Sequence, residues 1–66
     1  MESMNAGENI KRFRKEKHVT QTELAEALGM SQSAICQFER GSVIVSLPTA
    51  KAIADYLGVS VDELCG

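Results

Sequence analysis

Two short helical patterns, separated by one glycine, lie within residues 21–40, which read QTELAEALGMSQSAICQFER. The first pattern follows Thr20, and Glu23 stands three residues later, which is the spacing of a capping box. Its apolar residues recur at the spacing of one helical face, and they are Leu24, Ala25 and Leu28. Gly29 then ends the pattern, because glycine adopts the left-handed conformation of a helix C-terminus without steric cost. We therefore predict a helix that starts after Thr20 and ends before Gly29.

The second pattern follows Ser31, a suitable N-cap, and runs from Gln32 to about Arg40, where Gly41 ends it. Its apolar side chains fall within an arc of about 100° and are Ala34, Ile35 and Phe38. Small or amide side chains without charge fill an opposite arc of about 140° and are Gln32, Ser33, Cys36 and Gln37. Two helices joined by a turn of about three to four residues with a glycine form a helix-turn-helix unit, which we place at residues 21–40.

A first helix is predicted upstream of this unit, over residues 6–17. Asn5 is a suitable N-cap, and Glu8 follows it at the spacing of a capping box. Ile10 and Phe13 form an apolar pair one turn apart, while the residues between them are basic. We expect the apolar pair to face the core and the basic residues to face water.

Two further helices are predicted near the C-terminus. We expect Ser46 to cap the fourth, with Pro48 in its first turn, where the missing N–H is harmless. Its apolar residues recur at helical spacing before a terminating glycine, in the order Ala50, Ile53, Ala54, Leu57 and Gly58. Ser60 and Glu63 form another capping box, which opens a last short helix. The sequence therefore predicts an all-α fold of five short helices, with residues 41–47 as a loop.

The chain of 66 residues is long enough for one domain, which we take to span residues 1–66. So short a chain rarely builds a shielded cleft, and it shows no nucleophile–base spacing, so neither catalysis nor a small-molecule substrate is expected. No apolar run approaches the roughly 20 residues of a membrane span. Without a signal peptide either, we expect a cytoplasmic protein that does not contact membranes. Cys36, Cys65 and His18 are too few for a zinc site, and we expect no metal and no cofactor.

Basic side chains are concentrated near the N-terminus. The net charge is −2, which taken alone argues against a nucleic-acid partner. However, five of the seven Lys and Arg residues lie within residues 11–17. This cluster is either a solvated helix face or a source of long-range attraction to DNA, for which the candidates are Lys11, Arg12 and Lys15.

With these elements placed, the chain resembles the lambda repressor/Cro-like helix-turn-helix superfamily, in the branch named after the xenobiotic response element (XRE). The resemblance covers residues 7–64, and its matching stretches are IKRFR (10–14), TQTELAEALG (20–29), MSQSAI (30–35), FERG (38–41) and AIADYLGVSVDEL (52–64). It implies a lambda repressor-like DNA-binding domain that regulates transcription, as a repressor. Members of this family usually bind a pseudo-palindromic operator in double-stranded DNA as homodimers, with the third helix in the major groove. DNA-bound protein would then be associated with the nucleoid.

The resemblance also assigns base readers on the third helix. The corresponding positions are Gln32, Ser33 and Gln37, and chemistry agrees, because glutamine bonds bidentately to adenine and serine to several bases. Cys36 lies between them and would touch a thymine methyl group. On spacing alone, Gln32 and Gln37 fit an ordinary exposed helix surface equally well.

Positioning roles are implied for residues around the base readers. Gln21, which opens the second helix, is similar to the family's glutamine that contacts the DNA backbone. Arg40 and Ser42 correspond to phosphate contacts that follow the third helix. Arg14 and Glu39 match a family pair that bridges the first helix to the end of the third. We expect this pair to be structural, and the alternative for Arg14 is a contact with phosphate.

One segment departs from the family pattern. The loop after Gly41 is often basic in the family, whereas here Ser42 is followed by the apolar run Val43-Ile44-Val45. An exposed apolar run is costly unless it is covered, and dimerisation could cover it. The candidate dimer contacts are Val43, Ile44, Val45, Tyr56, Leu57, Val59 and Val61. A two-fold dimer would place its third helices roughly 34–36 Å apart, one turn of the duplex.

A function of another class competes with DNA binding. The acidic balance and the apolar loop also suit a protein-interaction module, such as an antitoxin-like protein that binds a partner. The amide-rich face of the third helix favours DNA instead. A partner protein that covers Gln32 and Gln37 would support the interaction module.

Overall fold

Five helices make up the computed structural model, which describes residues 6–66. They are α1 (Ala6–Glu16), α2 (Gln21–Leu28), α3 (Gln32–Arg40), α4 (Leu47–Leu57) and α5 (Val61–Cys65). The predicted all-α fold is therefore confirmed, and no strand occurs among residues 6–66. α1 ends one residue earlier than predicted, and the predicted N-cap Asn5 lies outside the described residues.

The short helices α2 and α5 start with the predicted capping boxes. The Glu23 backbone N–H donates to Thr20 Oγ1 over 3.0 Å, and the Thr20 N–H donates to Glu23 Oε1 over 2.8 Å. Ser60 and Glu63 form the same pair of bonds at the start of α5. Ser46 is the N-cap residue of α4, but its hydroxyl donates to Thr49 Oγ1 over 3.0 Å and binds no backbone N–H.

The first four helices end in a left-handed residue. Three of these residues are glycines, at the ends of α2, α3 and α4. At the end of α1 the left-handed residue is His18, with a φ of 58°. This conformation costs a residue with a Cβ roughly 1–2 kcal/mol. After each of them, the next N–H donates to a carbonyl five residues earlier, for example Val19 to Arg14 over 3.0 Å. These reversals fix the short turns between the helices.

The core lies between all five helices and consists of aliphatic side chains with one aromatic ring. Its fully buried large members are Ile10, Leu24, Ile35, Ile53, Leu57 and Leu64. One of the predicted dimer contacts is therefore wrong, because the Leu57 side chain is only 2% exposed and packs inside its own monomer. The amphipathic pattern of α4 already placed Leu57 on the same face as Ile53, and burial of this face fills the core.

The backbone of α1 approaches the end of α3 very closely at Gly7. A Cβ at this position would overlap the Phe38 carbonyl oxygen and lie 3.0 Å from the Glu39 carbonyl oxygen. Only glycine leaves room for this crossing. The contact sets the position of α3 relative to α1, and thereby the direction in which the exposed face of α3 points.

Candidate nucleic-acid interface

The outer face of α3 carries the residues predicted to read bases. Gln32, Ser33 and Gln37 are exposed, and Cys36 between them is half-buried. On the opposite face, two apolar side chains bind the helix to the core, of which Ile35 is fully buried. The outer face therefore presents amide and hydroxyl groups on a helix that is held rigidly from behind.

A buried ion pair joins α1 to α3 under this face. Arg14 Nε donates to Glu39 Oε2 over 2.6 Å, and Arg14 Nη2 donates to Glu39 Oε1 over 3.1 Å. Arg14 Nη1 also donates to the Val19 carbonyl oxygen over 2.8 Å. Arg14 is 8% and Glu39 9% exposed, so the two charges depend on each other for solvation.

The ion pair continues outward through two glutamines. Gln21 Nε2 donates to Glu39 Oε1 over 2.9 Å, and Gln32 Nε2 donates to Gln21 Oε1 over 2.8 Å. We call Arg14, Glu39, Gln21 and Gln32 the amide relay. It connects α1, α2 and α3 and runs from a buried guanidinium to an exposed amide on the outer face.

Every member of the amide relay is predicted from the sequence, but the bond from Gln21 to Glu39 and the bond from Gln32 to Gln21 are not. The resemblance assigned Gln21 to the DNA backbone and Gln32 to a base, as separate contacts. A signal was nevertheless present, because Gln21 and Gln32 are the first residues of α2 and α3, and the short turn brings these two helix starts together.

The residues after α3 remain exposed. Gly41 has a φ of 78°, and the Ser42 N–H donates to the Gln37 carbonyl oxygen over 3.0 Å. At the corresponding position after α1, α2 and α4 an apolar residue packs against the core, whereas Ser42 is polar and exposed. Arg40 is also exposed, so this end of α3 offers a cation and a hydroxyl to a ligand.

An apolar surface follows directly. We call residues 43–47 the apolar segment; Val43 is 42%, Ile44 94% and Leu47 69% exposed. Next to it lies a groove of about 220 Å³, lined by Ala6, Gly7, Phe38, Gly41, Val43, Ile44, Val45 and Cys65. Among residues 6–66, no charged residue lines this groove.

The predicted dimer contacts differ in how far they are exposed. Val43 and Ile44 are exposed beside the groove, and Tyr56 is 47% exposed on α4. Val45, Val59 and Val61 are half-buried and pack against the core, as does the fully buried Leu57.

The basic residues of α1 face water. Lys11, Arg12 and Lys15 are all exposed, and the Arg12 guanidinium lies 4.6 Å from the centre of the Phe13 ring. Stacking on the ring restrains Arg12, while the two lysines extend from an exposed helix face.

The sequence model of the helix-turn-helix (HTH_3) family matches residues 10–64 of the chain. The chain belongs to this family. Its membership confirms the resemblance drawn from the sequence. None of the helices within residues 6–66 has the length and apolar character needed to cross a membrane.

Curated relatives and a solved structure agree with this assignment. The chain is 40% identical over 63 residues to the immunity repressor protein of Bacillus phage phi105, covering 96% of this chain and 44% of that repressor. It is 42% identical over 64 residues to the uncharacterized HTH-type transcriptional regulator YazB of Bacillus subtilis, covering 97% of this chain and 93% of YazB. The crystal structure of the biofilm master regulator SinR in complex with DNA matches with a TM-score of 0.82 and 35% identity, over 89% of this chain and 95% of that chain.

These three relatives are named as regulators or repressors and not as enzymes. The chain is accordingly a DNA-binding transcriptional regulator of the repressor type. It spans less than half of the phage repressor, so that protein carries further sequence beyond the part shared with this chain.

Proposed function

We propose that the chain represses transcription as a homodimer that binds a pseudo-palindromic operator, with α3 of each copy in the major groove. The observation that carries this proposal is the outer face of α3. It presents Gln32, Ser33 and Gln37 to solvent, while Ile35 and Phe38 fix the helix from behind. The SinR match supports the proposal, since SinR was crystallised with DNA.

Sequence discrimination would come from the two exposed amides of α3. Each glutamine that bonds to a base edge contributes roughly 1–3 kcal/mol of discrimination. Cys36, half-buried between them, would contribute only contact with a thymine methyl group. Arg40 and Ser42 would bind phosphates and set the register of α3, without reading sequence themselves.

The outward cations would add an electrostatic contribution that depends on salt. Each neutralised phosphate contributes about 0.9 to the slope of log K against log salt concentration. The apolar segment supplies no cation, so we expect a shallow slope, to which Arg40 contributes about 1.

Selection from a random duplex library at about 100 mM salt, followed by titration of the selected sequence, tests the proposal. An inverted repeat should emerge, and Gln32→Ala and Gln37→Ala should each cost about 1–3 kcal/mol and relax one base position. Arg40→Ala should instead weaken binding uniformly across sequences. Lys51→Ala is the matched control, because it also removes one exposed cation, here on α4. The Nζ atom of Lys51 lies 3.7 Å from Asp55 Oδ2. Absence of any enriched sequence would overturn the proposal.

Dimerisation is supported by the shape of the apolar surface. A two-fold interface needs one patch that is complementary to itself. Ile44 protrudes, the groove beside it is open, and residues 41–50 contain no charged side chain that would face its own copy. We infer that Ile44 of each copy enters the groove of the other.

The same surface also suits a different protein partner, as in an interaction module. The exposed Ile44 and the uncharged groove are the observations that favour it. Such a partner would leave the chain monomeric in isolation, so the oligomeric state of the pure protein distinguishes the two alternatives.

A further inference from the structure

The side of α4 that faces away from the core is an exposed surface whose residues are not among those lining the groove. Pro48, Ala52 and Tyr56 lie on it one helical turn apart, and all three are exposed. Their side chains fall within an arc of about 80°, opposite the arc that Ala54 and Leu57 bury in the core. We call Pro48, Ala52 and Tyr56 the α4 stripe. It is an uncharged surface about 12 Å long.

One edge of the α4 stripe carries a charge of each sign. Lys51 and Asp55 form an ion pair along this edge, and both side chains are 69% exposed. Because exposed pairs of this kind contribute little to stability, each group can exchange its partner for another at little cost. On the other edge, Thr49 is half-buried and uncharged. Within α4, the stripe is therefore flanked by charge on one side only.

The α4 stripe is complementary to itself when two copies of α4 pack antiparallel. A two-fold axis at Ala52 sets residue 48 of each copy opposite residue 56 of the other, so the tyrosine ring meets the proline ring. Ala52 lies at the crossing point, where its small side chain permits a distance between the helix axes near the lower limit of about 8–10 Å.

The flanking charges also pair across this axis. The axis keeps both charged edges on the same side of the contact. Lys51 of one copy then lies only about 3 Å along the helix direction from Asp55 of the other, within reach of its long side chain. The two aspartates lie about 9 Å apart along the same direction. The two lysines point about 100° away from the centre of the stripe, so their ammonium groups separate. Opposite charges therefore meet across the contact.

We propose that the α4 stripe is a second self-association surface, through which two operator-bound dimers join and bind neighbouring operators cooperatively. Only the DNA part of this inference rests on the proposed function, since the pairing of α4 needs no DNA. The stripe is short and its ion pairs are exposed, so the pairing is weak in free solution. Two dimers held on one duplex have a high effective concentration, which favours the contact.

Disulfide trapping tests the pairing in the absence of DNA. In a chain with Cys36→Ser and Cys65→Ser, Ala52→Cys places a thiol at the two-fold axis, where the facing Cα atoms come close enough for a disulfide. Ala27→Cys is the matched control, because Ala27 is also an exposed alanine inside a helix, here α2. We expect Ala52→Cys to form covalent dimers at least about tenfold faster than Ala27→Cys. Equal rates would overturn the inference.

Charge reversal distinguishes specific pairing from chance encounters. Lys51→Asp and Asp55→Lys, each added to the Ala52→Cys chain, should slow trapping, because like charges then meet across the axis. An equimolar mixture of the two variants should restore trapping, in the form of covalent heterodimers. Ile44→Ser should leave the rate unchanged. No recovery in the mixture, or loss of trapping in Ile44→Ser, contradicts a second surface with paired charges.

Cooperativity is measured with duplexes that carry the selected operator once or twice, at several spacings. At the best spacing, we expect the wild type to bind the paired operators about tenfold more tightly than two independent sites would allow. Lys51→Asp should lose this factor, and because the factor is a ratio, any general effect of the charge on DNA affinity cancels. If the factor survives in Lys51→Asp, the α4 stripe does not join the dimers and the inference fails. If no operator is selected at all, the proposed function fails, while the trapping rates still decide whether α4 pairs.

Discussion

The outer face of α3 and the segment that follows this helix present surfaces of opposite character. At its start, Gln32 is bonded through Gln21 and Glu39 to Arg14, so a polar surface is connected to a buried charge. After its end, the apolar segment exposes Ile44 almost completely, beside an uncharged groove. Hydrogen bonds depend on direction, whereas apolar contact depends mainly on area. The first surface is thus suited to discriminate between ligands, and the second to associate with any apolar surface of matching shape.

The largest effect should follow from breaking the relay at its buried end. Arg14→Ala should lower the free energy of unfolding by about 3–5 kcal/mol, because it leaves the Glu39 charge buried without its partner. Urea denaturation at neutral pH measures the change. Arg12→Ala, an exposed neighbour over the Phe13 ring, is the control and should cost no more than about 1 kcal/mol. Equal losses for both variants would contradict the role given to the buried pair.

A smaller loss should follow from substitution of the glycine under the groove. Alanine in place of glycine normally stabilises a helix by about 1 kcal/mol. Gly7→Ala should do the reverse and destabilise by about 1–3 kcal/mol, because its Cβ overlaps the Phe38 carbonyl oxygen. Thermal unfolding measures whether the substitution raises or lowers the stability. Lys11→Ala, at an exposed position one turn later in the same helix, should stay within about 0.5 kcal/mol of the wild type.

A substitution in the apolar segment should weaken self-association of the chain but leave the stability of the monomer unchanged. Ile44→Ser should change the free energy of unfolding of the monomer by less than about 0.5 kcal/mol, since the side chain is 94% exposed. It should abolish self-association in sedimentation equilibrium. Leu47→Ser is the matched control, because Leu47 is exposed but does not line the groove. If both variants associate like the wild type, the apolar segment is not the dimer interface.

The smallest effect on stability should come from the capping box at the start of α5. This helix also contains Cys65, which lines the groove. The backbone N–H of Ser60, and after it the Ser60 hydroxyl, lower the pKa of Glu63 below its ordinary value of 4.5. A lowered pKa means that ionised Glu63 adds stability above its ordinary pKa, and this stability is lost as the pH falls through the lowered value. The unfolding temperature of the wild type should therefore drop more steeply below pH 4.5 than that of Glu63→Gln. If the unfolding temperatures of the two proteins fell in parallel with pH, the contribution assigned to ionised Glu63 would be wrong.

Local signals were sufficient to predict the helices. Thr20 with Glu23 and Ser60 with Glu63 satisfy backbone groups within four residues, so the sequence predicts them without knowledge of the rest of the chain. Gly29 likewise ends α2 by its own conformational freedom. His18, which the sequence also predicts to be the loop residue that ends α1, gives a weaker signal, because histidine enters the left-handed region more often than most residues with a Cβ but less readily than glycine.

The residues of the candidate site were predicted from the sequence, but most of the hydrogen bonds between them were not. The outer face of α3 follows from helical periodicity, which needs only the spacing of Gln32, Ser33 and Gln37. The bond from Gln21 to Glu39 joins residues 18 apart in sequence, and the bond from Gln32 to Gln21 joins residues 11 apart. No spacing rule covers such pairs, since their distance depends on how three helices cross.

The sequence by itself determined where α2 to α5 start, where α2 to α4 end, and which helix faces are apolar, because these depend on interactions between near neighbours in the chain. The motifs within residues 7–64 also determined which family the chain resembles. The tertiary structure alone decided that Leu57 is buried, that Gly7 must lack a side chain, and that a carboxylate on the core side of α3 orients the amide of Gln32 on its outer face. These features arise from contacts between separate helices. Burial and hydrogen-bond direction are fixed only when the helices pack against one another.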